Sequence, residues 1–249
     1  MVSVLVIGAS GNVGSAVMRS CLERKHDVTA FLRSPSKLPE DLKSHVNLRV
    51  VEGDATSVEA LVKAMSGQDA VVQAAVYGSK MPWGTSDSEK VVRSVVSAAK
   101  RVQSSRSADA RTLRLWALSG QVLLDIPEGG GKIEGDIIPI HPEHYANYAY
   151  ILQNASELDW SLLCPGKIDY AEPVGPVVRT IDYVGLWHRP SLIGQIPFIG
   201  PILNVLYNFW CQRLSYKSVG DFLADNLGPG GDMRGKRVGL LEDPRIKVH

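Results

Sequence analysis

The sequence predicts an α/β protein whose parallel sheet is covered by helices on both faces. Short β-branched apolar runs alternate with amphipathic segments through the first two thirds of the chain, a pattern typical of βαβ units. The first run, residues 2–7, is almost continuously apolar, as strands buried on both faces of a parallel sheet are. The length of 249 residues suits one large domain, and we expect residues 1–249 to form it.

The same patterns predict the order of the elements. Strands are expected over residues 2–7, 28–32, 46–51, 70–76, 113–118, 160–163 and 237–241, and helices over 12–25, 57–65, 88–102, 143–154 and 218–226. After Pro165 the alternation stops, because prolines and glycines interrupt the apolar sequence repeatedly. Residues 165–215 are therefore expected to form a small C-terminal lid region that binds substrate on the same domain.

Residues 190–212 contain no charged side chain, and their number is close to that of a membrane-spanning helix. Pro190, Pro197, Pro201, Gly194 and Gly200 interrupt the segment, and backbone groups freed by proline cannot stay unpaired in lipid. We therefore expect a hydrophobic lid or core segment and no transmembrane span. An interfacial patch and a dimer contact are the alternatives, and the sequence predicts no oligomeric state.

Charge and cysteine content exclude several classes of protein. Lysine and arginine number 27 against 26 aspartates and glutamates, so the net charge of +1 predicts no nucleic-acid partner. The three cysteines form no CxxC pair, which indicates a reducing compartment and a cytoplasmic location. The His141-to-His144 spacing has no acidic helix motif or nearby cysteine beside it, so no metal site is expected.

A glycine-rich loop with GxxGxxG spacing joins the first strand to the first helix. Glycines there allow a tight turn and let the backbone approach a pyrophosphate, which is then held at the positive end of the helix. The strand before the loop and the helix after it are the context that this motif requires. The loop predicts a dinucleotide site that includes Gly8, Ser10, Gly11, Asn12, Val13 and Gly14.

The end of the second strand indicates which dinucleotide is bound. An NAD site would have an acidic residue there to accept from the ribose 2′-hydroxyl, whereas this chain has Arg33, Ser34 and Lys37. Arginine binds phosphate oxygens with two parallel hydrogen bonds, so a 2′-phosphate and the cofactor NADP(H) are predicted. A surface arginine at a strand end is the alternative. Asp54 is a candidate for the adenine amino group or for a helix N-cap.

These segments together resemble the atypical short-chain dehydrogenase/reductase family of NmrA-like and NAD(P)H-binding proteins. The resemblance rests on GASGNVG at 8–14, FLRSPSKL at 31–38, EGD at 52–54 and LDWSLLCPG at 158–166, and it covers about residues 1–168. It implies a single Rossmann-type domain with NADP(H) lying across the carboxyl ends of the strands. It also implies that the nicotinamide end is surrounded by Ala74, Ala75, Ser119, Pro165 and Gly166.

The family's usual tyrosine, with a lysine four residues later, has no counterpart here. Tyr145, Tyr148 and Tyr150 are followed at that spacing by Ala149, Leu152 and Asn154. Hydride transfer depends mainly on the cofactor, so a reductase can lack this pair. The candidate proton donors are Ser119, which matches the family's serine, and His144 or Tyr145. Solvent-facing histidines on either side of Pro142 are the alternative.

Residues after the Pro165–Gly166 turn are candidates for substrate contact. Lys167 and Asp169 are expected to face the pocket mouth, with an exposed pair in water as the alternative. Aromatic residues of the lid region, Trp187 among them, predict an apolar small-molecule substrate, because aromatic walls bury much area with few rotamers. Their placement in the core is the alternative.

The leading hypothesis is an NADPH-dependent reductase of a hydrophobic carbonyl, imine or enone. A second hypothesis is an isomerase or cyclase that keeps NADP(H) as a structural wall of its pocket. A third, implied by the NmrA-like relatives, is a non-catalytic protein that senses NADP(H) and binds a protein partner.

Overall fold

The computed structural model describes residues 1–75, 87–107, 109–127, 133–138, 141–188, 196 and 199–246. Its strands are β1 Ser3–Ile7, β2 Asp27–Leu32, β3 Leu48–Glu52, β4 Ala70–Gln73, β5 Arg114–Leu118, β6 Asp159–Leu163, β7 Val177–Ile181 and β8 Lys236–Glu242. Its helices are α1 Asn12–Glu23, α2 Glu40–Lys43, α3 Val58–Met65, α4 Ser88–Ser104, α5 Glu134–Ile137, α6 Glu143–Asn154, α7 Ile199–Cys211 and α8 Tyr216–Asp225.

The described strands form one sheet in the order β3-β2-β1-β4-β5-β6-β8-β7. Neighbouring strands are parallel except β7, which pairs antiparallel with β8. The chain moves outward from β1 to β3 and then returns to place β4 on the other side of β1. This reversal creates the crevice at the carboxyl ends of the strands where open α/β sheets bind ligands. The doubly wound parallel sheet that the sequence predicts is confirmed.

Both faces of the sheet are buried, which explains why the central strand β1 is apolar from Val4 to Ile7. Val4 and Val6 pack with α1 and α8 on one face, and Leu5 and Ile7 pack with α3, α4 and α6 on the other. All four of these side chains have no exposed surface. A polar residue at any of these positions would lose its hydrogen bonds to water without replacing them.

Several element boundaries differ from the predictions by a few residues. Helix α1 ends at Glu23, two residues before the end of the range predicted for it, and Lys25 takes a positive φ of 58°. Helix α3 begins after Ser57, whose side chain accepts a hydrogen bond of 3.4 Å from the Ala60 amide. Ser57 is therefore the N-cap of α3, and the N-cap role suggested for Asp54 is wrong. The last residue of the strand predicted over 70–76 lies outside the described residues.

Four elements have no counterpart in the prediction: α2, α5, β7 and α7. Helix α7 lies within the uncharged segment 190–212, of which residues 190–195 and 197–198 are outside the described part. In the part of the chain that the structure describes, no helix is long and apolar enough to cross a membrane. The treatment of residues 165–215 as a substrate-binding lid stays a prediction.

Candidate functional site

The glycine loop brings the backbone of β1 and α1 unusually close together. Gly8 has a φ of +81°, and a Cβ at this position would lie 2.6 Å from the amide nitrogen of Ala75. A Cβ on Gly14 would overlap the carbonyl oxygen of Gly8. Glycine is therefore required at both positions. Gly11 caps α1 without a side chain, so the first turn presents backbone N–H groups, which attract an anion.

A cleft of about 410 Å³ opens beside this loop at the carboxyl ends of β1 to β4. It is lined by Gly8, Ser10, Gly11, Phe31, Leu32, Arg33, Ser34, Lys37, Gly53, Ala55, Ala74 and Ala75. Arg33 and Lys37 are exposed at one end of the cleft, just after β2. Close backbone approach, the N-terminus of a helix and a cationic end suit a ligand that carries several phosphates. The residues present therefore fit a dinucleotide.

A second cavity of about 390 Å³ lies at the carboxyl ends of β5 and β6. Its lining is Leu118, Ser119, Gly120, Gln121, Val122, Glu134, Ile138, His141, His144, Pro165, Gly166, Ile168, Val205, Leu206, Phe209 and Tyr216. Since β4 and β5 are neighbours, the dinucleotide cleft and this cavity occupy adjacent parts of one sheet edge. A mostly apolar wall with a few polar groups is typical of a small-molecule site.

Ser119 and His144 meet inside the second cavity. Ser119 follows β5, and its Oγ lies 3.2 Å from Nδ1 of His144 on α6. The imidazole also lies against Gly120, because a Cβ at that position would come within 2.9 Å of Nε2. Burial lowers the pKa of His144 to about 4. At neutral pH the His144 ring is therefore uncharged. It can form a hydrogen bond with the Ser119 hydroxyl, but it cannot donate a proton as an imidazolium ion would.

Glu134 is the acidic side chain among the described residues that line this cavity. It stands at the start of α5 and is only 2% exposed. Its Oε1 accepts a hydrogen bond of 2.9 Å from Nε2 of Gln121, two residues beyond Ser119. Burial raises the pKa of the Glu134 carboxyl to about 7, because a charged carboxylate loses its hydration there. A carboxylic acid with its proton is therefore present near neutral pH.

The residues from 8 to 183 match the model of the NAD(P)H-binding family. The chain belongs to this family. The resemblance to NAD(P)H-binding proteins that the glycine loop and strand ends suggest is thereby confirmed. The dinucleotide cleft of this NAD(P)H-binding protein lies within the matched residues.

Curated relatives of the NAD(P)H-binding chain are dehydrogenases and oxidoreductases. A 3-beta-hydroxysteroid dehydrogenase of Mycolicibacterium neoaurum is 38% identical over 91 residues, which are 36% of this chain and 24% of that protein. Oxidoreductase dmxR7 of Cryptosporiopsis sp. (strain 8999) is 25% identical over 129 residues, 50% of this chain and 54% of that protein. The matches thus span about a quarter and about half of these relatives.

Solved structures of NAD(P)-binding proteins share the fold over nearly the whole chain. A Rossmann-fold NAD(P)-binding family protein from Shigella flexneri has a TM-score of 0.64 at 18% identity, covering 100% of this chain and 98% of that one. A wide-type short-chain dehydrogenase/reductase from Veillonella parvula DSM 2008, solved with NADP, has a TM-score of 0.65 at 14% identity, covering 98% and 95%. These likenesses establish the Rossmann-type fold of the NAD(P)H-binding chain.

Some predicted cofactor residues lie beside the dinucleotide cleft rather than in its wall. Val13 packs against the core formed by α1 and α8. Asn12 lines a neighbouring groove, where its Nδ2 donates over 3.3 Å to the hydroxyl of Tyr216. Asp54 accepts hydrogen bonds of 2.8 Å from both the backbone and the hydroxyl of Thr56, and these bonds lower the pKa of its carboxyl. The carboxylate is therefore engaged within its own turn.

The predicted substrate residues are not gathered in the second cavity. Lys167 is exposed, with its Nζ 5.2 Å from the centre of the Trp210 ring. Asp169 lines the neighbouring groove with Asn12, and its Oδ1 accepts from the Ala171 amide over 3.1 Å. Trp187 is half-buried and packs against the core that α3, α4 and α6 cover. Pro165 and Gly166 do line the cavity.

Tyr145, a candidate proton donor, is not among the described residues that line the second cavity. Its hydroxyl occupies the space that a side chain on Gly135 would fill. The hydroxyl donates to the carbonyl oxygen of Val122 over 3.4 Å. Tyr145 therefore holds α5 against the loop after β5.

Glu134, Gln121 and His141 line the cavity, but sequence reasoning did not select Glu134 or Gln121, and it gave His141 no site role. Glu134 follows a glycine-rich stretch and belongs to no apolar repeat, so nothing in the sequence separates it from an exposed acid. Its effect depends on burial, which a single sequence does not report.

Proposed function

We propose that the chain is an NADPH-dependent reductase of an apolar carbonyl, imine or enone. The observation that carries this proposal is the position of an apolar cavity with a Ser119–His144 pair on the sheet edge next to the dinucleotide cleft. When bound, NADPH supplies a hydride to an electrophilic carbon of the substrate. The curated relatives named dehydrogenase and oxidoreductase support the same class of reaction.

NADPH rather than NADH is proposed because Arg33, Ser34 and Lys37 line the far end of the dinucleotide cleft. Arginine and lysine there would bind the 2′-phosphate that distinguishes the two cofactors. In the same arrangement Ala74 and Ala75 would lie beside the nicotinamide ribose. Pro165 and Gly166 would meet the nicotinamide from the second cavity.

Ser119 is proposed to orient the substrate oxygen. A neutral His144 that carries its proton on Nδ1 donates to Ser119 Oγ and leaves the serine O–H free to bind a carbonyl oxygen. This hydrogen bond strengthens as negative charge develops on that oxygen. We further propose a reducing, cytoplasmic setting, in which Cys21, Cys164 and Cys211 remain thiols as they are in the structure.

The proposal is tested by NADPH oxidation with phenanthrenequinone, an apolar aromatic diketone. We expect turnover with NADPH to exceed turnover with NADH, and Ser119→Ala to lower kcat by about 10²- to 10³-fold, as loss of one such donor typically does. Ser156→Ala, an exposed serine after α6, is the control and should leave kcat unchanged. Tight NADPH binding with no oxidation would instead favour the isomerase or the NADP(H)-sensing hypothesis.

A further inference from the structure

Glu134 and the Ser119–His144 pair are held by one short loop. Residues 119–122 follow β5, and alternate side chains of this loop make the contacts: Ser119 meets His144, and Gln121 donates to Glu134. The loop is fixed at both points, since the Ser119 amide donates to Leu163 O over 2.8 Å and the Gln121 amide to Pro165 O over 3.0 Å. Glu134 therefore shares one cavity wall with the group proposed to orient the substrate oxygen.

The position of Glu134 is also fixed from its own helix. Its amide donates to the carbonyl oxygen of Leu124 over 3.1 Å. Tyr145 fills the space beside Gly135 and holds the same turn in place. Among the described residues, Gln121 is the hydrogen-bond partner of the carboxyl, and it binds Oε1. Oε2 has no hydrogen-bond partner among the described residues, which leaves it to carry the proton in the step proposed below.

We propose that Glu134 is the general acid of this site and protonates the substrate oxygen during carbonyl reduction. This proposal rests on the reductase function proposed above. Glu134 takes the role of the tyrosine–lysine pair that has no counterpart here. A carboxylic acid that keeps its proton near neutral pH can protonate the substrate oxygen, as the phenol of that tyrosine does. His144 does not compete for this role, since its ring is neutral and its Nδ1 is engaged with Ser119.

The step is balanced in atoms and charge. The carbonyl carbon takes a hydride, whose two electrons come from NADPH, and the electrons of the C=O π bond move to the substrate oxygen. The O–H bond of Glu134 breaks, and a new O–H bond forms on that oxygen. The products are an alcohol, NADP⁺ and the Glu134 carboxylate, which recovers its proton from water.

Among the described residues, few other titratable groups face Glu134. The same cavity is lined by His141, His144 and Tyr216. Tyr145 of α6 packs against Gly135, and Asp136 lies on α5 itself. Within the described part of the chain, no lysine or arginine lines the cavity. The described lining residues therefore supply no cation that would hold the carboxyl in its charged form. The rate is expected to fall as pH rises through about 7, because the acid form of Glu134 is lost.

Glu134→Gln tests the proposal because glutamine keeps the size and the hydrogen-bonding capacity but cannot give up a proton. With phenanthrenequinone and NADPH, we expect kcat to fall by about 10²- to 10⁴-fold, the usual range for general-acid help. The fall in rate above pH 7 should disappear in this variant, while the Kd for NADPH stays unchanged. Glu157→Gln, which alters an exposed carboxylate paired with Lys100 at 3.1 Å, is the matched control and should behave as the wild type.

A second measurement reads the proton directly. The infrared spectrum of the wild type minus that of Glu134→Gln should contain the C=O stretch of a protonated carboxyl at pH 6, and the band should vanish by pH 9. A missing band, or a Glu134→Gln enzyme with wild-type kcat, would overturn the role of Glu134. A wild type that oxidises no NADPH with the diketone would overturn the reductase function itself, and the two failures are thereby distinguished.

Discussion

Arg33 is the residue on which the proposed choice of NADPH depends. Its side chain is exposed at the end of β2, where it lines the dinucleotide cleft together with Ser34 and Lys37. A hydrogen bond to a charged partner contributes about 1.5–3 kcal/mol, which is enough to separate two cofactors that differ by one phosphate. The proposed preference for NADPH therefore depends largely on one guanidinium.

Replacing Arg33 with alanine should weaken NADPH binding by about 10- to 150-fold, because the loss of one charge-assisted bond to phosphate has this effect. Binding of NADH should change little. Isothermal titration calorimetry with each dinucleotide measures both affinities. Arg49→Ala removes an exposed arginine of β3 that does not line the cleft and serves as control. Equal losses for the two dinucleotides would exclude a role for Arg33 in binding the 2′-phosphate.

The residues whose role follows from backbone geometry were predictable from sequence, whereas those whose role follows from burial were not. Gly8 and Gly14 are required because a Cβ at either position meets backbone, and their spacing in the sequence reflects this directly. Glu134 differs from an exposed glutamate only in how far burial raises its pKa. His144 was selected from the sequence, but the lowering of its pKa by burial was not predictable. No pattern in one sequence contains that information.

Helix α7 presents two different faces, although its sequence is mostly apolar and contains no charged residue. Val205, Leu206 and Phe209 line the second cavity. On the outer side, Trp210 is 67% exposed, and Ile202 is also exposed. We therefore expect the cavity-lining face to determine how well an apolar substrate is bound. The outer face is expected to make no contact with the substrate.

Phe209→Ala should raise KM for phenanthrenequinone by about 10-fold or more, since burial of a large aromatic side chain against a ligand contributes roughly 1.5–3 kcal/mol. kcat should change little, because Phe209 is not proposed to act on the reacting atoms. Steady-state kinetics at saturating NADPH separates the two constants. Trp210→Ala, one residue further on, is the matched control and is expected to leave KM unaltered. If both variants raise KM equally, the cavity is not the substrate site.

The elements that sequence reasoning missed lie where the βαβ alternation ends. Strand β7 enters the sheet antiparallel to β8, so no crossover helix precedes it to mark its presence. Helix α7 follows a segment interrupted by several prolines and glycines. Its mostly apolar sequence lacks the continuous polar face that marks an ordinary surface helix. In contrast, α6 and the central strands were predictable because each has a single pattern of apolar residues and clear boundaries in the sequence.

At the scale of the whole molecule, the carboxyl ends and the amino ends of the strands have different roles. The carboxyl edge holds the dinucleotide cleft and the second cavity. Near the amino ends of β5 and β6, Arg114 and Asp159 form a buried ion pair of 3.0 Å, and the Arg114 guanidinium lies 4.4 Å from the ring of Trp116. Asp159 Oδ2 also accepts from the Gly230 amide over 2.8 Å, so the pair links the central strands to the segment before β8.

Asp159→Ala should destabilise the protein by about 3–5 kcal/mol, because it leaves the buried guanidinium without its countercharge. Burial lowers the pKa of Arg114 to about 10 even though Asp159 favours the charged form, so the guanidinium depends on this countercharge. Urea unfolding followed by circular dichroism measures the loss. The control is Asp41→Ala, which removes the exposed partner of Arg19 and should leave the midpoint unaltered. A midpoint shift no larger than that of the control would contradict a structural role for the buried pair.

The packing of α1 against α8 also has a consequence for the order in which the protein folds during synthesis. Helix α1 leaves the ribosome well before α8, the helix that covers it, because α8 lies some 200 positions later in the chain. At a synthesis rate of about 5–20 residues per second, α8 follows α1 by on the order of ten seconds or more. During that time the apolar side of α1 is not covered by α8. Contacts between such distant parts of a chain form slowly. The nascent chain is therefore expected to expose the Val17 and Met18 surface of α1 as a temporary binding site for chaperones.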